Sequence, residues 1–186
     1  PQTVKIPNRI STRRRATLDL QEQIRCVFNL DLEPIKFKLV NGDDGPAWTI
    51  AEADRVEVEY KKFLVLNLKN QACRRVQSVV PTKAVDKFWH AHILDTMKYE
   101  ADCQHCLGFF LHHFPYLGMR GPGDAQALQD QFRESLEYYT DEFGALPVPS
   151  HSSYCSGEDP SQCTPEPSCS GEPDPTIRER PVLTRV

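Results

Sequence analysis

The chain has 186 residues, of which 39% are hydrophobic, and a formal net charge of -4. That is enough apolar material for one compact domain, and no apolar run reaches the 18 or so residues a membrane-spanning helix needs. Through Gly144 there are 20 acidic and 19 basic residues, so no general positive field exists to attract nucleic acid or an anionic membrane. The opening residues lack the charged, apolar and small-residue succession of a secretory leader, and a cytoplasmic location is expected.

Residues 1–15 form a basic segment with Lys5, Arg9, Arg13, Arg14 and Arg15, too short to act as an anchoring arm. A helical domain is expected over 16–144. Leu18, Leu20, Ile24, Val27 and Phe28 have helical spacing, and Leu32, Ile35 and Leu39 favour a second helix over a strand. The run at 41–45, Asn-Gly-Asp-Asp-Gly, is a turn. Thr49 and Glu52 have capping-box spacing before a helix that carries Ala53, Val56, Tyr60, Phe63 and Leu64 and reaches about Asn67.

A loop beginning near Asn70 then leads to Thr82, which caps a helix predicted to run unbroken to Cys103 or Cys106. Gly108 and Pro115 bracket a bend containing His112 and His113, and the glycines and prolines that follow exclude regular structure. Asp124 is expected to cap a last helix through Leu128, Phe132, Leu136, Tyr139 and Phe143, which Gly144 stops. The fold class is therefore all-α, a single irregular bundle of about four to five helices. Residues 145–186 form an extended Pro/Ser/Cys-rich tail with too little apolar material to offset the entropy of ordering.

Seven cysteines, an odd number in a chain with an ordinary helical core, point to reduced thiols, some of them on a metal, rather than a secreted disulfide framework. On a straight helix His92, Thr96, Tyr99 and Cys103 share one stripe, whereas His90 lies about 160° from His92 and joins Asp86. His90 and His92 thus cannot hold one ion together. Two local arrangements remain: His92 with His112 or His113, or Cys103 and Cys106 meeting one of those histidines across the bend. Imidazole and thiolate suit zinc or another thiophilic divalent metal. The leading expectation is a metal-binding helical protein with a structural or regulatory role, its ligands drawn from His92, Cys103, Cys106, His112 and His113. The tail could supply further chelating cysteines or contact a protein partner. The alternative is a histidine-dependent or metal-assisted enzyme on a small molecule or peptide, in which His90 or His92 moves a proton and Asp86 or Tyr99 orients it. His105 faces away from the His92 stripe and is read as solvated.

The run VDKFWHAHILDTMKYEADCQHCLGFFLHHFPYLGMRG, with YKKFLVLNL upstream, resembles the glycine-rich domain-containing protein-like family of bacteria, fungi and plants over roughly residues 15–144. The family pattern falls on Asp86, Trp89, His90, His92, Tyr99, Cys103, Gly108 and His112 or His113. The resemblance implies a helical domain of unsettled activity and, through plant relatives, a loose link to stress responses and development. Where bacterial members end in Gly-Cys repeats, this tail has Cys-Ser-Gly echoes diluted by proline and acid.

Overall fold

A computed structural model describes residues 18–42 and 47–144. The basic segment 1–15, most of the 41–45 turn and the tail 145–186 lie outside the described residues. Helices α1 (Leu20–Phe28), α2 (Glu33–Asn41) and α3 (Ile50–Cys73) are followed by α4 (Lys83–Leu94), α5 (Thr96–Asp102), a π-helical turn (Cys103–Leu107) and α6 (Pro122–Phe143). There is no strand among the described residues, so the all-α expectation holds. No helix there is long and apolar enough to cross a membrane.

α3 is the axis of the bundle, with α1, α2 and α4 packed along it. Thr49 starts it by accepting the Glu52 N–H at 3.1 Å. Midway along it, Phe63, Leu64, Val65 and Leu66 are four consecutive buried residues, more than one face of a helix can hold. Partners are therefore needed all round, and Val27 of α1, Ile35 of α2 and Phe88 and Trp89 of α4 join the same core. Each such side chain contributes about 1.5–3 kcal/mol on leaving water. α3 also runs past Asn67 to Cys73, where Arg74 takes a left-handed conformation in the position glycine often fills. The loop expected from Asn70 thus begins four residues later.

α6 packs through Tyr138 and Tyr139 into the same core, and polar groups add to its attachment. The Tyr139 hydroxyl donates to Glu59, and Lys62 Nζ donates to the same hydroxyl oxygen at 2.7 Å. Buried Ser135 accepts the Val80 N–H at 2.9 Å. The helix begins one turn before the expected cap, with Gly121 as N-cap and Pro122 in the first turn. Asp124 caps the preceding loop instead, accepting the N–H groups of Gly118 (2.6 Å) and Arg120 (3.1 Å).

The helix expected to run unbroken from Thr82 to Cys103 or Cys106 is interrupted twice. At Asp95 (φ -85°, ψ 72°) the backbone leaves the helical region, and the Asp95 carboxylate then accepts the Lys98 N–H to start α5. The last turn widens: the Gly108 N–H reaches back five residues to the Cys103 carbonyl at 2.9 Å, and Gly108, at φ 78°, ends the segment. Cys106 in this wide turn forms a disulfide with Cys26 of α1, across 80 residues of sequence. That pairing corrects the expectation of reduced cysteines here. Gln23 Nε2 reinforces the junction by donating to the Leu107 carbonyl at 2.7 Å.

Candidate metal centre

Two buried or half-buried hydrogen-bond systems and one cluster of metal-capable donors lie along α4, α5 and the segment after Gly108, and a second donor cluster joins α1 to the π-helical turn. The first cluster begins on α4, where Thr82 caps the helix and Asp86 and His90, four residues apart, point from the same side. Trp89, on the adjacent buried face, packs against Phe63 with ring centroids 5.0 Å apart, and its N–H donates to the Tyr99 hydroxyl at 2.9 Å. The Tyr99 O–H in turn donates to the Leu111 carbonyl at 2.5 Å. These bonds fasten the returning chain over α4, so that the His113 ring lies 4.5 Å from the Trp89 ring.

There His113 Nε2 stands 3.0 Å from Asp86 Oδ1 and 3.0 Å from His90 Nε2, while His90 Nε2 is 3.6 Å from Asp86 Oδ2. One proton on His113 Nε2 serves one of its two 3.0 Å neighbours well and the other poorly. A cation among the three donors would satisfy all their lone pairs together. Two ligands of a tetrahedral zinc lie about 3.3 Å apart, given bonds of roughly 2.0–2.1 Å, so the two separations from His113 Nε2 are close to two edges of such a site. The side chains of Asp86 and His113 are 23% and 16% exposed and that of His90 is 50% exposed, which leaves one side of the cluster open to water.

His92 points into the core, only 1% exposed, and meets neither His112 nor His113. Its Nδ1 is 2.9 Å from the Tyr60 hydroxyl and its Nε2 is 3.1 Å from Asp102 Oδ2. Burial pushes the Tyr60 phenol well above its usual range, so its O–H is a donor. Burial alone would raise the Asp102 carboxyl, but hydrogen bonds from His92 and Lys98 outweigh it and hold the group below the usual carboxylate range. With Asp102 ionised, His92 Nε2–H donates to it and Nδ1 accepts from Tyr60. Both ring nitrogens are then engaged, and the ring is a structural link from α3 to α5.

The remaining expected ligands are dispersed. Cys103 is buried with a free thiol, and burial raises its pKa, unfavourable for a thiolate ligand. Cys106 is occupied by Cys26. His112 is exposed and lies against Phe110, with ring centroids 4.8 Å apart. Of the five residues expected as ligands, His113 alone stands in the Asp86 cluster, together with two residues read as catalytic; Tyr99 of that catalytic set instead braces the segment carrying His113. The second cluster, Cys26, His105 and Cys106, contains two residues that sequence reasoning left out. The Asp86 to His90 spacing was a local signal for the first cluster. Cys26 carries no comparable signal, since its partners lie 80 residues away.

Fold and geometry together define an all-α protein with a candidate three-donor centre at the junction of α4 and the bend after Gly108. The sequence model of the UCP032817-like family matches residues 25–142, more than half the chain, and the protein belongs to that uncharacterised family. This corrects the resemblance to the glycine-rich domain-containing family, for which the match gives no support. No curated protein and no solved structure matches the chain.

Proposed function

We propose that the protein binds one divalent metal ion through Asp86, His90 and His113, and that the ion clamps the segment after Gly108 onto α4 in a structural or regulatory role. The observation that carries this reading is His113 Nε2 lying 3.0 Å from both Asp86 Oδ1 and His90 Nε2, with Asp86 Oδ2 3.6 Å from His90 Nε2, a cluster that one proton on His113 Nε2 does not satisfy well. Two imidazoles and a carboxylate are borderline and hard donors, a set that suits zinc. Three protein ligands with one side open differ from the closed four-ligand cage of purely structural zinc sites, so an exchangeable ligand such as water completes the shell.

Elemental analysis of the purified chain and calorimetric zinc titration test the proposal. About one equivalent is expected to be lost in His113→Ala and in His90→Ala, with helical content retained. Metal content at trace level, or one equivalent unchanged in both variants, would refute it.

The open side also supports an enzymatic reading, in which the ion lowers the pKa of a bound water to about 7 for attack on a small-molecule or peptide substrate. A metal-dependent hydrolytic activity that vanishes in Asp86→Asn would favour this reading over the clamp.

A further inference from the structure

The second donor cluster shares no residue with the first. Cys26 lies in the last turn of α1, and His105 and Cys106 are consecutive in the π-helical turn. One ligand atom from each lies within 4.8 Å of the other two. In a regular α-helix neighbours point about 100° apart; the wider turn closed by the Gly108 N–H to the Cys103 carbonyl reduces that divergence and brings the His105 ring toward the sulfur of its neighbour. Turns of this kind recur at functional sites. As long as Cys26 and Cys106 are bonded to each other, neither sulfur is a thiolate and the cluster has one effective ligand.

We propose that Cys26, Cys106 and His105 form a second, thiolate-rich site for zinc or a similar soft divalent ion, open only when the Cys26–Cys106 disulfide is reduced. The step balances with a dithiol as reductant. One of its thiolates attacks a sulfur of the bridge to give a mixed disulfide and release one protein thiolate. Its second thiolate displaces the other protein sulfur, leaving the reductant as a disulfide and the protein with two thiols. Metal binding then releases the two thiol protons, and His105 enters through a neutral ring nitrogen. Two thiolates on a tetrahedral zinc lie roughly 3.8 Å apart, given Zn–S bonds near 2.3 Å, a separation within reach of side-chain rotation from a bonded pair. The bridge and the ion are alternative ties between α1 and the wide turn, so the junction is closed in both redox states.

The test uses the 186-residue chain with Cys155, Cys163 and Cys169 changed to serine, so that their thiols give no signal. Cobalt is added under nitrogen to the oxidised protein and to protein reduced with a phosphine, and the near-ultraviolet sulfur-to-cobalt charge-transfer band is followed. The band is expected in the reduced protein and absent in the oxidised one. Cys26→Ser should remove at least half of its intensity. His105→Ala, on an exposed position that the fold tolerates, should weaken cobalt binding at least roughly tenfold, as loss of a ligand exceeds the effect of losing an outer hydrogen bond. His113→Ala should leave the band unchanged, which separates this site from the Asp86 cluster. A band equally strong without reduction, no band after it, full intensity in Cys26→Ser, or unaltered affinity in His105→Ala would each overturn the proposal.

Discussion

Replacing His92 by phenylalanine separates a structural histidine from a ligand, because the effect can be worked out from its two bonds. The ring is 1% exposed, and Tyr60, on its Nδ1 side, is fully buried. Removing the imidazole leaves the Tyr60 hydroxyl without its 2.9 Å partner, which costs about 1–3 kcal/mol. On the other side Asp102 keeps Lys98 Nζ at 2.8 Å and some access to water, so the loss of the 3.1 Å bond from Nε2 adds at most about 1 kcal/mol. His92→Phe should therefore destabilise by about 1–4 kcal/mol. Tyr60→Phe alone should cost about 1–3 kcal/mol by stranding Nδ1. In the double variant neither orphan exists, and the combined cost should fall short of the sum of the singles by about 1 kcal/mol or more. Urea unfolding with equal slopes across the four proteins measures this. Additivity to within about 0.5 kcal/mol would refute the buried pairing, and loss of an equivalent of bound zinc in a folded His92→Phe protein would return His92 to the ligand set.

Other expectations follow from neighbouring residues. Tyr99→Phe cuts the link from Trp89 to the Leu111 carbonyl and should weaken zinc binding at the Asp86 cluster by about tenfold with all three ligands intact, as calorimetry would register; unchanged affinity would mean that the link does not position His113. Asp102 has a depressed carboxyl in the folded state, so its contribution is present above the unfolded carboxylate range and is lost as pH falls through the lower folded value; Asp102→Asn should flatten that part of an acid-unfolding profile, and an identical profile would count against the ion pair. Gly118→Ala would place a Cβ 2.5 Å from Leu128 Cδ2 at φ +89° and should cost about 1–3 kcal/mol, seen as a lower Tm; an unchanged Tm would show that the loop relaxes freely. Cys26→Ser, measured against the oxidised chain, should lose about 2–4 kcal/mol by opening a loop of 80 residues, and urea unfolding with no such loss would show that the bridge is not formed in solution.

The helices were legible because each is written in a local pattern. The apolar spacing of Leu128, Phe132, Leu136, Tyr139 and Phe143 fixes α6, and Thr49 and Thr82 mark the starts of α3 and α4. Interruption of the central helix was not legible. The stretch around Asp95 has no proline or glycine, and the break arises where the Asp95 carboxylate takes over the Lys98 N–H while its backbone leaves the helical region. Extrapolating one straight helix past that point put His92 and Cys103 on a common stripe and kept both among the candidate ligands. The helix rule did separate His90 from His92 within α4, where the helix is regular, and the two rings now sit in different systems, one in a half-exposed donor cluster and the other in the core.

Long-range pairing was the other hidden variable. Cys26, isolated in sequence on an amphipathic helix, gave no sign of its bond to Cys106, and His105 is read as solvated because it faces away from the His92 stripe. The wide turn directs Cys106 toward α1, and His105, exposed as expected, stands beside the bridge. The same turn ends at Gly108, whose left-handed backbone reverses the chain and sends Leu111 back over Tyr99 and His113 over Trp89. A residue with a side chain at Gly108 would be strained at φ +78° and would press toward Gln23 Nε2, 3.4 Å from its Cβ. The two donor clusters are thus coupled through one element: the π-helical turn fixes the Cys26 junction on its near side and, through Gly108, aims His113 at Asp86 and His90 on its far side. Substituting Gly108 should therefore disturb metal binding at the Asp86 cluster although Gly108 offers no ligand, while an equally destabilising change in α6, such as Leu136→Ala, should lower stability and leave that binding intact.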